Sequence, residues 1–549
     1  MRNKASNGNL EVYAVAGTHT VVLSFDYVNK PQGLLGFAVE RKDLGTGKRI
    51  WLMGQKCFKT VIPDPVKGQQ YPTHLHPVQS FMWKDFTVQP GSSYSFKITP
   101  VLGKPNQLQY GPPVEVTVTA EKEWDGKQGV YFNRGVSGSQ SYSENFPKGK
   151  ISDMDDATRE RALTWLSRGL FEGLRDYIAR AKPGEYLYGC FYEFKEDRTL
   201  GLLKEAKNRG VNVLLIADGK QYGDENLEAV RRVGITRLVK KWRTKAKIPH
   251  NKFLVHCSKT GKATKVWTGS TNISEKGIFG QCNTGHIITD AVVADKYLKF
   301  WNALLQDPTK AALVTEVMNL QADVTAGNLP DNSITAFFSP RDSLTMLDVY
   351  ARLVETAGEL ACGIFPFNID MRFQNAFNTP KNFPRYVIVD KGHNKFEPND
   401  SDLDVAVGAA IKNPVDQWLA EKSSGSLFYG GTDYVHNKLL VIDPLGKNPV
   451  VVVGSANLSE PSTNANDENM LVIKGAGYRR EMDIYLTEFI RLFDHFNFRE
   501  WLNSPDGGTF KPFLEEAPAA NGFSWVDKYF DNPEYLSYKR KIAFKNMII

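Results

Sequence analysis

His250-Asn251-Lys252-Phe253-Leu254-Val255-His256-Cys257 returns 186 residues later as His436-Asn437-Lys438-Leu439-Leu440-Val441-Ile442-Asp443. Each octet is a short apolar run, the signature of a buried strand. Side chains alternate faces along a strand, so His250 and Lys252 share a face about 7 Å apart, as do His436 and Lys438. Downstream each copy carries Gly-Ser-x-Asn, as Gly269-Ser270-Thr271-Asn272 and Gly454-Ser455-Ala456-Asn457. Eleven positions past each asparagine stand Asn283 and Glu468. Glycine admits a close backbone approach, while serine and asparagine supply hydrogen-bond donors.

The repetition extends outward. VYFNRG at Val130 is echoed by AFFSPR at Ala336, EYLYGCFYEF by GELACGIFPF, and VNVLLIAD by RYVIVDKG. Both copies end in an apolar strand, GHIIT or MLVIK, and a helix, AVVADKYLKFWNALLQ or EMDIYLTEFIRLFDHF. Two copies of a βαβ pattern predict a duplicated α/β unit, not a solenoid. ATRERALTWLSRGLFEGLRDYIARAK has helical periodicity throughout. Residues 1–122 differ: LEVYAVAG, TVVLSFDYV, GFAVERKDL, RIWLMG, SYSFKITPVLG and VEVTVTA are short, β-rich and separated by Gly, Pro, Asn and Asp, predicting an all-β sandwich. VSGSQSYSENFPKGK, after it, reads as a linker loop. The expected organisation is thus a sandwich over 1–122, a first α/β half over 123–325 and a second over 326–549.

The 549 residues are 42% hydrophobic and 23% charged, ordinary globular usage that excludes a disordered or fibrous chain. No apolar run approaches the ~18 residues that span a bilayer, and no signal-peptide h-region is visible. With 68 basic and 61 acidic residues the net charge is +7, compatible with anionic partners without demanding them. Cys57, Cys190, Cys257, Cys282 and Cys362 are scattered and imply no disulfide framework. His74 and His76 read as surface loop residues, and no metal or cofactor is indicated.

The H-x-K-x4-D pattern followed by G-S-x-N, present twice, resembles the phospholipase D superfamily over residues 130–549. PGSSYSFKITPVLGKP loosely resembles a late strand of a fibronectin type III domain. The first resemblance implies duplicated α/β/α sandwich units forming one catalytic domain that cleaves phosphodiesters without metal. It implies His250 as the nucleophile forming a phosphohistidine, His436 as general acid/base, and Lys252, Lys438, Asn272 and Asn457 as holders of the phosphoryl oxygens. Glu468 is expected beside His436, favouring imidazolium there, with Asn283 leaving His250 neutral. Ser270, Ser455 and Asn283 are expected to contact substrate, with Phe191, Phe365 and Phe367 lining the site from strand ends. Two departures stand out: Cys257 replaces the usual aspartate, on the strand face opposite His250, and the gaps 258–268 and 444–453 are longer than usual.

The resemblance leaves substrate open. The eight basic residues between Arg231 and Lys247 suit a membrane surface or a nucleic-acid backbone equally. A long chain holding both motif copies and an aromatic C-terminal cluster (Phe523, Trp525, Tyr529, Phe530, Tyr535, Tyr538) looks more like bacterial phospholipase D enzymes, with rings at the site's mouth for acyl chains or choline. Phospholipid is therefore the expected substrate and partner, with a nuclease or other phosphodiesterase as the alternative. A monomer is expected, since both half-sites share one chain.

Overall fold

The computed structural model describes residues 1–66, 69–135, 142, 145–146, 151–367, 369–390, 395–399, 401–408, 435–503, 512–518 and 522–549, with backbone only for 498–503. Most of the VSGSQSYSENFPKGK segment lies outside the described residues.

The two copies build two seven-stranded sheets of identical order. The first runs Gln128–Phe132, Thr284–Ile288, Ala263–Gly269, Lys252–Cys257, Tyr186–Phe191, Asn212–Asp218, Val239–Arg243. The second runs Ser333–Ser339, Glu468–Lys474, Val450–Gly454, Leu439–Ile442, Ala361–Phe365, Arg385–Val389, Leu403–Val407. In both, the last two pairings are parallel and the rest antiparallel. Central strands buried on both faces need continuous apolar runs, which FLVHC and LLVID supply. The helices Ala291–Leu305 and Arg479–Asn503 pack against both sheets, so Cys190, Phe253 and Val255 share one core with Cys362, Val441 and Val453 through Tyr297, Phe300, Tyr485 and Phe489. The fold is the duplicated α/β architecture read from the repeat, preceded by an all-β region.

That region is two facing sheets. One holds Arg2–Ser6, Leu10–Ala16, Val21–Tyr27 and Met82–Asp85; the other is built on Ser93–Lys104 and Gly36–Asp43. Val114, Val116 and Val118 turn inward while Glu115 and Thr117 stay in water, the period-two pattern of a half-buried strand. The outer face of the first sheet is not free: Tyr13, Val15, Val22 and Met82 join the core of the α/β sheets. Arg2 crosses the boundary, with Nε on Asp483 Oδ1 at 2.7 Å and its Nη1 on the carbonyls of Leu445 at 3.0 Å and Ile548 at 2.8 Å.

Two expectations change here. The helical run from Ala157 breaks at Arg168 and Gly169, both at positive φ, into Asp156–Ser167 and Leu170–Ala179. The break lets Arg168 reach Glu488 in the other half, and a Cβ at Gly169 would strike the Glu123 carboxylate. The C-terminal aromatics also lie away from the site's mouth. Trp525, Tyr529 and Phe530 pack on Phe81 in the β-sandwich core, and Trp525 donates to the Leu34 carbonyl.

Candidate active site

His250 and His436 stand just before the strands Lys252–Cys257 and Leu439–Ile442, where the two sheets meet end to end. Short backbone bridges stitch the halves there. Pro249 pairs with Asp467, the His250 amide donates to the Asp467 carbonyl at 2.9 Å, and Cys282 pairs with Val435. Each bridge brings the first residues of one half's penultimate strand against the other half's histidine. Glu468 Oε2 therefore meets His250 Nδ1 at 2.8 Å, and Asn283 Oδ1 meets His436 Nδ1 at 2.8 Å. This corrects the expected pairing of Glu468 with His436: partners swap across the pseudo-twofold seam, which chain order does not display.

With Nδ1 anchored, each imidazole presents Nε2 to a cavity of about 750 Å3 that both histidines line. Lys252 Nζ donates to the His250 carbonyl at 2.5 Å, and Lys438 Nζ to the His436 carbonyl at 2.6 Å. The Gly-Ser-x-Asn turns close the walls. A Cβ on Gly269 or Gly454 would collide with the next strand at Thr284 or Asn469, so glycine is required at both.

Burial and the clustered cations move the site's titratable groups away from their ordinary proton affinities. Burial, then the charges of Lys252 and Lys438, holds the His250 imidazole well below its ordinary range; His436 is held down by burial and the same two lysines. Burial lowers Lys252 to about 7 and Lys438 well below its usual value. Burial raises Glu468 to about 8, with Lys252 pulling against it. A monoanionic phosphodiester would supply the negative charge that lets both ammoniums stay protonated.

Of the expected residues, His250, His436, Asn272, Asn457 and Phe367 line the cavity. Phe367 is 49% exposed and stands edge-on to His436 at 6.2 Å. Several others do not. Phe191, 2% exposed, stacks on Phe194 in the core of the first half, and Phe365, 1% exposed, packs on Phe373 and Phe377. Their side chains point inward, and the cavity is lined instead by residues just past each strand, Tyr192 and Glu193 in the first half and Phe367 in the second. Ser270 is fully buried, its Oγ 2.8 Å from Asn283 Oδ1 and 2.9 Å from Asn437 Oδ1. Ser455 likewise exchanges hydrogen bonds with the Asn469 backbone. Both serines tie the turns together instead of touching substrate, and Asn283 orients His436.

Two more residues join the site: Tyr192, a strand-end ring beside Phe191 in the sequence, and Glu193 after it. Tyr192 packs edge-on against His250 at 4.8 Å with Lys252 Nζ 5.2 Å from its ring centre. Glu193, two residues past Phe191 as Phe367 is past Phe365, accepts from Asn272 Nδ2 at 2.6 Å. That repeat position was the available signal for Glu193. His76 is a correction of another kind: it is buried, accepting the Phe58 amide at 3.1 Å. The basic stretch is no continuous track, because Arg243 is buried among carboxylates and Arg232 pairs with Asp197. Cys257 is a fully buried core residue, while its counterpart Asp443 accepts the amides of Gly358, Glu359 and Leu360.

Residues 174–305 and 387–493 match the family described as "Cardiolipin synthase, PLD-like domain". The matched segments contain both motif sets, His250 to Asn283 in the first and His436 to Glu468 in the second. Solved structures similar to this chain include phosphatidylserine synthase of Haemophilus influenzae Rd KW20, 15% identical over 60% of this chain and 85% of that one, at a TM-score of 0.41. Polyphosphate kinase of Porphyromonas gingivalis is 12% identical over 60% and 48%, at 0.37. The phospholipase D family member Nuc of Salmonella typhimurium is 21% identical over 24% and 84%, at 0.21. No curated protein sequence matches this one.

Proposed function

We propose that this chain is a phospholipase D, cleaving the headgroup phosphodiester of glycerophospholipids of the phosphatidylcholine type and passing the phosphatidyl group to water or an alcohol. The observation that carries the reading is the pair of Nδ1-anchored histidines facing one cavity with two buried lysines. His250 Nε2 attacks phosphorus, forming the P–N bond as the P–O bond to the headgroup breaks. His436 gives its Nε2 proton to the departing oxygen, then takes one from the incoming water or alcohol, whose attack breaks the P–N bond.

The crossed pairing supports this division on new grounds. The Glu468 carboxylate beside His250 stabilises the positive charge of a phosphorylated imidazole. The neutral Asn283 amide orients His436 without that support, leaving its imidazolium the better acid. Lys252, Lys438, Asn272 and Asn457 are assigned to the non-bridging oxygens, where charge develops. Phe367 at the cavity edge suits the apolar or choline portion of a lipid.

The test is product analysis after incubation with phosphatidylcholine vesicles, ethanol and EDTA. Phosphatidylethanol with free choline is expected. Intact lipid alongside cleaved single-stranded DNA would replace this reading with that of a nuclease.

A further inference from the structure

The two seams between the halves are not equivalent. At the seam beside Asn283 and His436, the position before the orienting residue is Cys282, and the end of the corresponding edge strand is Val407. At the seam beside Glu468 and His250 those positions are Asp467 and Arg243, and they form a buried ion pair. Arg243 is 1% exposed. Its Nε donates to Asp467 Oδ2 at 2.8 Å and its Nη2 to Asp467 Oδ1 at 3.3 Å, a two-handed grip. Its Nη1 donates to Asp307 Oδ1 and to the Pro308 carbonyl, both at 2.6 Å. Asp307, which follows the helix Ala291–Leu305, also accepts the Thr244 amide at 3.1 Å, the Lys245 amide at 3.2 Å and the Thr244 hydroxyl at 2.8 Å. The anchor is rigid, and it holds an arginine whose other side grips the residue next to Glu468.

Asp467 acts through its backbone too. Its carbonyl takes the His250 amide and its amide donates to the Ile248 carbonyl, each at 2.9 Å. One residue thus contacts the His250 segment, adjoins Glu468 in sequence, and is clamped by a cation from the first half.

We propose that Arg243, Asp467 and Asp307 form a positioning brace, specific to the His250 side, that sets both the alignment and the proton affinity of the Glu468–His250 pair. The inference rests on the phosphodiesterase reading for its purpose, and on the geometry of this seam for its content. Arg243 and Asp467 touch no reacting atom; they act through the pair.

The groups facing that pair are Lys252 and Lys438, which favour its deprotonated form, Asp467, which opposes it, and Tyr192 against the ring. His436 faces His250 across the cavity and acts on it directly, and Glu193 acts on Lys252. Removing the Asp467 charge should make the pair easier to deprotonate. Removing the Arg243 charge frees Asp467, which burial already lifts to about 6, to take up a proton, so the two lost charges largely offset. A brace that only held the backbone would produce no shift in Asp467→Asn.

Asp467→Asn and Arg243→Gln, made in the full chain, provide the test. The first readout is the acid limb of kcat/KM against pH with bis(p-nitrophenyl) phosphate, which reports the pair as a macroscopic value. The limb should move down by about half to one pH unit in Asp467→Asn and little in Arg243→Gln, where Asp467 takes up a proton. The second readout is the His250 ring titration by NMR, which needs no turnover. Loss of rate in Asp467→Asn with an unmoved limb and an unmoved His250 titration would overturn the proposal. If Arg243→Gln does not fold, the isosteric Asp467→Asn decides alone, a downward shift supporting the brace and none refuting it. A wild-type chain that hydrolyses no diester would instead overturn the functional reading, leaving the NMR shift to judge the brace.

Discussion

Replacing Glu468 by glutamine should slow the enzyme and stabilise the fold, the second effect growing with pH. Burial lifts this carboxyl from 4.5 to about 8. Between those values the folded chain keeps a proton that the unfolded chain has lost, so stability falls as pH rises through the window. At about 1.36 kcal/mol per pH unit the whole span amounts to roughly 5 kcal/mol, an upper bound. Lys252, lowered to about 7 by its own burial, loses a counter-charge in the variant, which trims the gain to ~1–3 kcal/mol. Glutamine keeps the shape, and its carbonyl oxygen can still accept from His250 Nδ1, but it does not titrate. The difference in Tm between variant and wild type should thus be near zero at pH 5 and reach about 1–3 °C by pH 8.5. Above pH 8, where the wild-type carboxyl is ionised, turnover of bis(p-nitrophenyl) phosphate should fall about 10²–10⁴-fold, the range found when a carboxylate that orients a catalytic imidazole is neutralised. Calorimetry at the two pH values and steady-state kinetics suffice. A Tm difference that does not change with pH, or unimpaired turnover, would refute the reasoning.

His250→Ala and His436→Ala should each abolish hydrolysis of phosphatidylcholine; with a p-nitrophenyl diester, whose leaving group needs no acid, His436→Ala should accumulate an acid-labile phosphoprotein and His250→Ala should not. Asn283→Asp puts a carboxylate on His436 Nδ1 and should strengthen its hold on the catalytic proton, moving the basic limb of the pH–rate profile up by about one unit. Cys257→Asp buries a carboxyl in the core between the sheets, far from the three amides that Asp443 serves in the other half. It should destabilise by about 3 kcal/mol in chemical denaturation while the folded fraction keeps its kcat, and a lower kcat in fully folded protein would show that this face does reach the chemistry.

The repeat alone was enough to establish the duplicated α/β fold, the strands bearing the two His-x-Lys pairs, and the positions of Asn272 and Asn457. These are local matters: period-two alternation aims His and Lys at one face, and glycine before serine marks a turn where a neighbouring strand passes close. Tertiary structure decided everything that lies across the seam. Glu468 serves His250 and Asn283 serves His436 because each bridge joins one half's strand to the other half's histidine, and a pseudo-twofold axis exchanges partners that sequence order keeps apart. The same holds for Arg243, which in sequence is one of eight basic residues and in the fold is a buried partner of Asp467, 224 residues away. Phe365 and Phe367 make the point within one repeat: apolar patterning marks both as strand-end rings, but the chain turns only after the strand is complete, so one ring fills the core and the other faces the cavity. Burial, which moves the lysines, histidines and Glu468 away from their ordinary proton affinities, arises from residues brought together by folding and so has no counterpart in the linear chain.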